Sequence, residues 1–487
     1  MTANGSKPES SVVTTIQTSC DELLQKFWEL EEVPKMNNLT VAEKQCEQHF
    51  EENFKRLTDG KFEVKLPFKD EQNKLGNSTI IAKRRFFALE RKLEKNKELR
   101  LEYNEFLKKY LEMGHMELIN NNSFMNSGYY LPHHCVLRPE STTTKLRVVF
   151  DASCKTTTNV SLNDILHTGP RLQEDLFNIL LRFRKHRYVF SADIEKTYRQ
   201  IWISEADRKY QLIFWRWNPD ETIKTYALKT VTFGTASAPY LAVKCLQKIA
   251  DCKEDNFPIE SDVIRNDFYM DDLMTGGDCI ESLKRVRENI DNILMDFGMP
   301  LRKWCTNEKV LLQGIDPSYI ENDLNIESNN LKSVKTLGIV WNPKTDRFSL
   351  KCKLEFQNKI SKRTILSEVA KLFDPLGLIG PVTVKTKMLL QDLWKLKLDW
   401  DDKIPEQLTE NWLKIKDNFK FLNEVNVPRH IICVKPTQIE LHGFCDASMK
   451  AYGAAVYVKS IDSNGIVYCH LAASKSRIAP IKIFLLQ

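Results

Sequence analysis

Two adjacent aspartates within a run of strand-forming residues restrict the fold of this chain more than any other feature. Residues 263–277 read VIRNDFYMDDLMTGG, so apolar side chains precede Asp271 and Asp272 and continue after them. This pattern predicts a β-hairpin with both carboxylates at its tip. Neighbouring carboxylates repel each other, and a bound divalent cation would keep both ionised. Hard oxygen ligands of this kind suit Mg²⁺.

An aspartate pair alone also occurs in ordinary surface turns. The same chain contains a second pair, Asp401 and Asp402, in polar surroundings shortly before Pro405, and we expect it to form an exposed turn. On the pair alone, a metal site and a surface turn are both open interpretations of Asp271 and Asp272.

A third carboxylate favours the metal site. Asp193 lies at the end of the apolar segment YVFSA at 188–192, which predicts a strand. Three aspartates that meet at a strand end and a hairpin tip could hold two Mg²⁺ ions, of which one would activate a primer 3′-hydroxyl and the other would stabilise the pyrophosphate leaving group. Because Asp193 and Asp271 are about 80 residues apart, only the fold can bring them together.

Composition excludes several other classes of protein. The chain of 487 residues allows two to four domains, and its net charge of +6 permits phosphate binding without requiring it. The first residues lack the apolar core of a signal peptide, and no apolar run approaches the ~18 residues of a membrane span, so we expect an intracellular protein without a membrane partner. The twelve cysteines include no Cys-x-x-Cys pair. His133, His134 and Cys135 are therefore expected to be strand residues rather than zinc ligands.

The sequence around the three aspartates resembles the catalytic motifs of reverse transcriptases, in YMDD at 269–272 and ADIEKTY at 192–198. Other segments resemble, in the same order and with compatible spacing, the polymerase of BEL/Pao-type LTR retrotransposons. They are FWELEEVP at 27–34, YYLPHH at 129–134, KLRVVFDAS at 145–153, SLNDIL at 161–166, FGTASAP at 233–239, LRKW at 301–304 and KLFDPLGLIGPV at 371–382. The resemblance covers nearly the whole chain after residue 20.

The resemblance implies an α+β fold of the right-hand polymerase type, with fingers, palm and thumb. We expect a disordered leader at 1–20, a helical N-terminal extension or linker at 21–115, and reverse transcriptase fingers and palm at 116–310. The primer grip, thumb and connection would occupy 311–435, and a partial, three-stranded RNase H-like segment would occupy 436–487.

The resemblance also implies roles for individual residues. Asp193, Asp271 and Asp272 would be catalytic and, together with Ile194, would surround two Mg²⁺ ions, for which Mn²⁺ is an alternative. The incoming deoxynucleotide would be bound by further residues of the fingers and palm, namely Lys145, Arg147, Tyr198 and Gly234.

Some of these roles have a direct physical reason. Lys145 and Arg147 would donate charge-assisted hydrogen bonds to the triphosphate. The ring of Tyr198 would clash with a ribose 2′-hydroxyl and so act as a gate for deoxyribonucleotides. At Phe233, before Gly234, retroviral enzymes commonly have Gln. Lys303 is a candidate proton donor to pyrophosphate, with an exposed strand lysine as the alternative interpretation.

The remaining implications concern the C-terminal part and the partners. Leu337 and Gly338 resemble the primer grip. FCDAS at 444–448 resembles the start of an RNase H domain, but of the four carboxylates of that nuclease only Asp446 is present, so no RNase H activity is expected. The absence of protease and integrase motifs suggests a fragment of a polyprotein or a truncated genomic copy.

The leading hypothesis is an RNA-directed DNA polymerase of an LTR retrotransposon. Its partners would be an RNA template, a DNA or RNA primer and dNTPs, in cytoplasmic virus-like particles, with transfer into the nucleus as a further option. Two alternatives stay open: a catalytically inactive nucleic-acid-binding remnant of a degenerate retroelement, and an RNA-dependent RNA polymerase, against which the aromatic residue at Tyr198 argues. The sequence makes no prediction of oligomeric state.

Overall fold

The computed structural model describes residues 39–69, 72–119, 128–137, 146–321, 334–336, 339–350 and 359–480. The α-helices of these ranges are α1 Val41–Asn53, α2 Thr79–Glu94, α3 Lys97–Glu112, α4 Leu162–Ile165, α5 Leu176–Lys185, α6 Ala238–Lys253, α7 Pro258–Asn266, α8 Ile280–Asp296, α9 Lys362–Val369, α10 Gly380–Lys395 and α11 Glu406–Asn418.

The strands are distributed along the whole described chain. They are β1 Lys55–Arg56, β2 Phe62–Val64, β3 Met116–Leu118, β4 His133–Leu137, β5 Leu146–Phe150, β6 Tyr188–Ile194, β7 Trp202–Ile203, β8 Leu212–Trp215, β9 Lys224–Leu228, β10 Phe268–Tyr269, β11 Asp272–Gly277, β12 Leu301–Thr306, β13 Val334–Thr336, β14 Ile339–Asn342, β15 Arg347–Ser349, β16 Asn426–Pro428, β17 Gln438–Ala447, β18 Ala451–Ile461 and β19 Val467–Ile478. Helices alternate with sheets whose pairings are mostly antiparallel, which is the predicted α+β class.

Local sequence signals determine where the N-terminal helices begin and end. The spacing of Thr40 and Glu43 in the sequence predicts a capping box, and helix α1 starts there, with the two residues satisfying each other's backbone N–H groups. The apolar spacing over 81–111 predicts a single helix, and this prediction is wrong, because α2 ends at Glu94 and α3 begins at Lys97. Asn96 is the reason, since its side chain accepts a hydrogen bond from the Leu99 N–H at 3.0 Å and so caps a new helix.

The N-terminal elements share one hydrophobic core with the central sheet. Phe62 of β2 stacks on Phe297 with ring centroids 5.4 Å apart, and β2 pairs in parallel with β7. The Tyr240 hydroxyl of α6 donates to the Cys46 carbonyl of α1 at 3.3 Å. The described residues between 41 and 112 are therefore packed onto the body of the molecule rather than joined to it by a linker alone.

The sheet that carries the predicted site has the strand order β10-β11-β6-β12, and all of its pairings are antiparallel. Strand β6 is central and nearly all of its side chains are buried, as its apolar sequence predicts. Helices α5 and α8 pack against β11. In this way the sheet gives a rigid support to the end of β6, where Asp193 lies.

His133 and Cys135 are buried strand residues of β4, as expected. The His133 Nδ1 lies 2.5 Å from the Tyr103 hydroxyl, and its Nε2 lies 3.0 Å from the Phe214 carbonyl. Burial lowers the pKa of His133 to about 4, so the ring is neutral, accepts from Tyr103 and donates to Phe214.

The C-terminal part contains helices α9–α11 and a sheet of the order β17-β18-β19, which is the predicted set of three strands. Strand β19 packs against α10, where the Gln391 side chain donates to the Ala479 carbonyl at 2.7 Å. Within the described ranges, no helix is both long and apolar enough to cross a membrane.

Two fully buried arginines connect α5 with the C-terminal elements. Arg429 binds Asp346 through two nitrogens at 2.6 and 2.7 Å and donates to the carbonyls of residues 183, 186 and 187. Arg184 donates to the carbonyls of Pro428, Arg429 and Ala472. Burial and the nearby Arg429 lower the pKa of Arg184 to about 10, so the Arg184 side chain remains charged at neutral pH.

Substitution of Arg429 by Met should destabilise the protein by about 3–5 kcal/mol, because it removes the buried charge that pairs with Asp346 and the donor to the carbonyls of residues 183 and 186. Arg363→Met is the matched control: Arg363 also binds an aspartate through two nitrogens, both at 2.9 Å, but its side chain is 60% exposed. That pair should contribute about 0–1 kcal/mol. Urea unfolding followed by tryptophan fluorescence compares the two variants, and equal midpoints would contradict this account.

Candidate active site

The antiparallel register brings the three predicted aspartates together at one end of the central sheet. Asp193 of β6 lies directly opposite Asp272 of β11, so their side chains are on the same face. Asp271 occupies the turn between β10 and β11, and its carbonyl accepts a hydrogen bond from the Ile194 N–H at 2.9 Å. The predicted hairpin with Asp271 and Asp272 at its tip is confirmed.

The turn itself has an unusual backbone conformation. Met270 has a φ of 60°, in the left-handed region that residues other than glycine rarely adopt. Such strain persists only where the surrounding structure holds it, and it is concentrated at functional sites. Here the pairing of Tyr269 with Asp272 and the hydrogen bond from Ile194 hold the turn from both sides.

The arrangement concentrates negative charge in a partly buried place. Burial, together with Asp271 and Asp193, raises the pKa of Asp272 to about 7. Burial and Asp193 also raise the pKa of Asp271. A positive charge nearby would therefore favour the ionised form of Asp272 at neutral pH.

Lys303 supplies part of that charge. Its ammonium forms an ion pair with the Asp193 Oδ2, and the pair raises the pKa of the lysine against the opposing effect of burial. Lys303 lies in a bulge of β12, between Arg302 and Cys305, with a φ of 53°. The bulge turns this lysine toward the aspartates, whereas its role as a proton donor stays a prediction.

The carboxylate oxygens of the three aspartates are suitable ligands for a divalent cation. The Asp193 Oδ1 is buried and has no hydrogen-bond partner, although a buried carboxylate oxygen normally has one. Three carboxylates are the hard oxygen ligands that Mg²⁺ or Mn²⁺ requires. Across the described ranges no group of three or more His, Cys, Asp or Glu side chains is already gathered as a metal site, so these carboxylates would have to turn toward a common ion.

Two of the residues predicted to bind the nucleotide interact electrostatically with Asp271. Arg147 of β5 is exposed, and its charge partly opposes the rise in the pKa of Asp271. Tyr198 lies in the short 3₁₀ helix Thr197–Gln200 after β6, and burial together with Asp271 raises its pKa to about 12. Binding of one nucleotide by both side chains stays a prediction.

The loop at 233–236 completes this side of the site. The Phe233 ring lies 4.4 Å from the Tyr198 ring in an edge-to-face arrangement and is 47% exposed. Gly234 has a φ of 106°, and a Cβ at this position would lie 2.0 Å from the Phe150 carbonyl oxygen of β5. Only glycine allows the loop to approach the fingers hairpin β4–β5 this closely.

The other predicted site residues lie elsewhere or outside the described ranges. Lys145, Leu337 and Gly338 are outside the described residues. Asp446 is an exposed residue of β17 and accepts a hydrogen bond from the next backbone N–H. Ile194 is buried, and its carbonyl accepts from the Thr197 hydroxyl at 3.2 Å. Its assignment to the metal site stays a prediction.

The comparison pair Asp401 and Asp402 lies in an exposed turn, as expected. Asp401 binds Arg363, and the carboxylate of Asp402 accepts from the Asp399 N–H at 2.9 Å. Asp271 and Asp401 are both exposed, whereas Asp272 is half-buried and Asp402 is exposed; the pair at 271–272 in addition has Asp193 opposite it.

One residue near the site was not assigned a role from the sequence. The Asn163 side chain bonds to both Gly234 and Ala236 of the loop at 233–236. Asn163 belongs to the SLNDIL segment. The sequence gives one indication that Asn163 has a role, which is that this segment lies between the predicted fingers strands and the predicted palm.

Comparison with family models gives two matches. Residues 139–339 match the model described as reverse transcriptase (RNA-dependent DNA polymerase), and residues 361–485 match the model described as Pao retrotransposon-like RNaseH-like domain. The three aspartates all lie in the first match. The predicted resemblance and the predicted polymerase fold class are thereby confirmed, whereas the residue boundaries of the predicted domains stay predictions.

Among solved structures, the foamy viral protease-reverse transcriptase in complex with double-stranded DNA is similar to this chain, with 14% identity and a TM-score of 0.45. The superposition covers 76% of this chain and 54% of that chain, so this chain spans about half the length of the solved relative. No curated protein matches the sequence.

Proposed function

We propose that this chain, a reverse transcriptase domain followed by a Pao retrotransposon-type RNaseH-like domain, copies RNA into DNA at Asp193, Asp271 and Asp272. The observation that carries the proposal is the register of the central sheet, which sets Asp193 opposite Asp272 and next to Asp271 inside the reverse transcriptase match. Adjacent carboxylates from separate segments are what a metal-dependent nucleotidyl transfer requires.

The metals of this reaction would be held by the three aspartates. Divalent ions held there supply activation of the primer 3′-hydroxyl and stabilisation of the charge that develops on the pyrophosphate. The protein itself contributes position: β6 and the hairpin β10–β11 hold the carboxylates, and the strained turn at Met270 fixes the orientation of Asp271.

The surrounding residues would bind the incoming deoxynucleotide. Arg147, exposed on β5 and within electrostatic range of Asp271, would donate to the triphosphate. Tyr198 would lie under the sugar, with Phe233 supporting its ring. We infer an RNA template and a DNA or RNA primer as partners, and a cytoplasmic, particle-associated setting with later access to the nucleus, from the two family matches.

A primer-extension assay tests the proposal. The purified chain, given a primed RNA template, dNTPs and Mg²⁺ or Mn²⁺, should extend the primer, and a chelator should stop the reaction. The same assay with ribonucleotides should give little product. Extension that continues in excess chelator, or a preference for ribonucleotides, would contradict the proposal.

The same experiment distinguishes an inactive nucleic-acid-binding remnant from an active polymerase. A remnant would bind the primed template, with an affinity that falls as salt rises, and would extend nothing. Binding without extension in every metal tested would therefore replace the catalytic proposal by the remnant.

A further inference from the structure

Asn163 connects the segment after β5 with the loop at 233–236, which lies about 70 residues further along the chain. It lies in the short helix α4, and its backbone N–H donates to the Ala152 carbonyl at 3.1 Å. Its side-chain Nδ2 donates to the Ser153 hydroxyl at 2.8 Å and to the Gly234 carbonyl at 2.9 Å. Its Oδ1 accepts from the Ala236 N–H at 2.8 Å. One amide thus satisfies both a carbonyl and an N–H of the loop at 233–236.

This loop is held by backbone hydrogen bonds of its own and by Asn163. The Thr235 N–H donates to the Thr232 carbonyl at 3.3 Å and the Ala238 N–H to the Thr235 carbonyl at 3.2 Å, and the left-handed Gly234 lies against the Phe150 carbonyl, where a Cβ would not fit. The Thr235 hydroxyl bonds only within the loop, to the Thr232 carbonyl at 2.9 Å. Asn163 is therefore the side chain that connects the loop backbone to the segment after the fingers hairpin.

The loop carries Phe233, and Phe233 contacts the proposed sugar gate. The two rings are 4.4 Å apart at 67°, an edge-to-face geometry that aromatic pairs prefer. A shift of the loop backbone would move the Phe233 ring and remove the support of Tyr198. Asn163 is thus connected to Tyr198 by its two hydrogen bonds to the loop and by the contact of the Phe233 ring with the Tyr198 ring.

We propose that Asn163 is a positioning residue that holds Phe233 against Tyr198 and so determines both the KM for the incoming deoxynucleotide and the discrimination against ribonucleotides. This inference rests on the proposed function. Asn163 acts through the loop and does not itself contact the nucleotide, so its effect should depend on the presence of the Phe233 ring.

Asn163→Ala and the isosteric Asn163→Asp test the role. Both remove the donor to Gly234, and the second does so without a change of volume. Each should raise the KM for dNTP about tenfold, as expected for the loss of hydrogen bonds that hold one element. The change in kcat should be less than about threefold, and the preference for deoxynucleotides should decrease by a similar factor of about ten.

Asn307→Ala is the matched control. Asn307 makes a comparable set of bonds behind the sheet, to the Arg187 carbonyl at 2.9 Å, to Asp346 at 3.2 Å and from the Val189 N–H at 3.0 Å. Its loss should lower the melting temperature without a change in the KM for dNTP. If Asn163→Ala behaves in the same way as this control, Asn163 is merely structural and the proposal is overturned.

A double-mutant cycle with Phe233→Ala separates positioning from other effects. If Asn163 acts through the ring, Asn163→Ala should add little to the KM of the Phe233→Ala protein. Additive effects, or a weaker affinity for the primed template with an unchanged KM for dNTP, would overturn the proposal and leave the proposed function intact. If the wild-type chain extends no primer, both fail.

Discussion

Asp271→Asn should lower the rate of primer extension by about a thousandfold or more. The carboxylate is replaced by a neutral group of the same shape, so the loss is one of metal binding and charge rather than packing. Metal-bound carboxylates account for several kcal/mol of transition-state stabilisation, and about 1.4 kcal/mol corresponds to a factor of ten. Steady-state extension on a primed RNA template measures the effect, and Asp193→Asn should give a similar one.

The chain provides a control for this experiment in its second aspartate pair. Asp401→Asn changes the same residue type next to another aspartate, but in an exposed turn bound only to Arg363. Extension should remain within about twofold of the wild type, because an exposed ion pair contributes little. A comparable loss in both variants would show that the assay responds to surface charge and not to the proposed site.

The melting temperature of the Asp271→Asn protein distinguishes a loss of catalysis from a loss of folding. Burial raises the pKa of Asp271, so in the metal-free protein its ionisation opposes folding once the pH exceeds the ordinary pKa of aspartate, about 3.9. Removal of this charge should leave the melting temperature at pH 7 unchanged or higher. A large decrease in melting temperature together with lost activity would instead mean that Asp271 is needed for the fold.

The strand β6 and the helix α8 could be predicted from the sequence because each has one clear hydrophobic period. The apolar run at 188–194 predicts a buried strand, and residues 280–297 predict a helix that the structure shows at Ile280–Asp296. The segment before the hairpin was harder. Residues 263–266 were interpreted as part of a strand, but they belong to α7, and only Phe268–Tyr269 form the first arm. A short apolar run is compatible with the hydrophobic period of a helix and with that of a strand.

The composition of the site could be predicted, but its geometry could not. Asp193 could be selected from the sequence as a candidate metal ligand because it lies at the end of an apolar segment that predicts a strand. Whether Asp193 would face Asp272 or lie one residue out of register depends on the pairing of β6 with β11, and a shift by one residue would turn the side chain to the other face. Similarly, the bulge that brings Lys303 to Asp193 has no signal in LRKW, and the bonds of Asn163 join segments about 70 residues apart.

The second large effect is expected at Tyr198. Tyr198→Ala should reduce discrimination against ribonucleotides by about a hundredfold, because a space the size of a ring opens where a 2′-hydroxyl would otherwise clash. The ratio of kcat/KM for a dNTP to that for the matching ribonucleotide measures this effect. Incorporation of deoxynucleotides should decrease by a smaller factor, since Phe233 loses the ring that it contacts.

Tyr198→Phe separates the ring from the hydroxyl. Burial and the nearby Asp271 raise the pKa of Tyr198 to about 12, so the hydroxyl is neutral at any pH used for the assay and does not contribute a charge. The phenylalanine variant keeps the edge-to-face contact with Phe233 and the steric barrier, so its discrimination should remain within about threefold of the wild type. If Tyr198→Ala retains full discrimination, or if Tyr198→Phe loses it, the ring is not the gate, and the selectivity for deoxynucleotides must come from another part of the site.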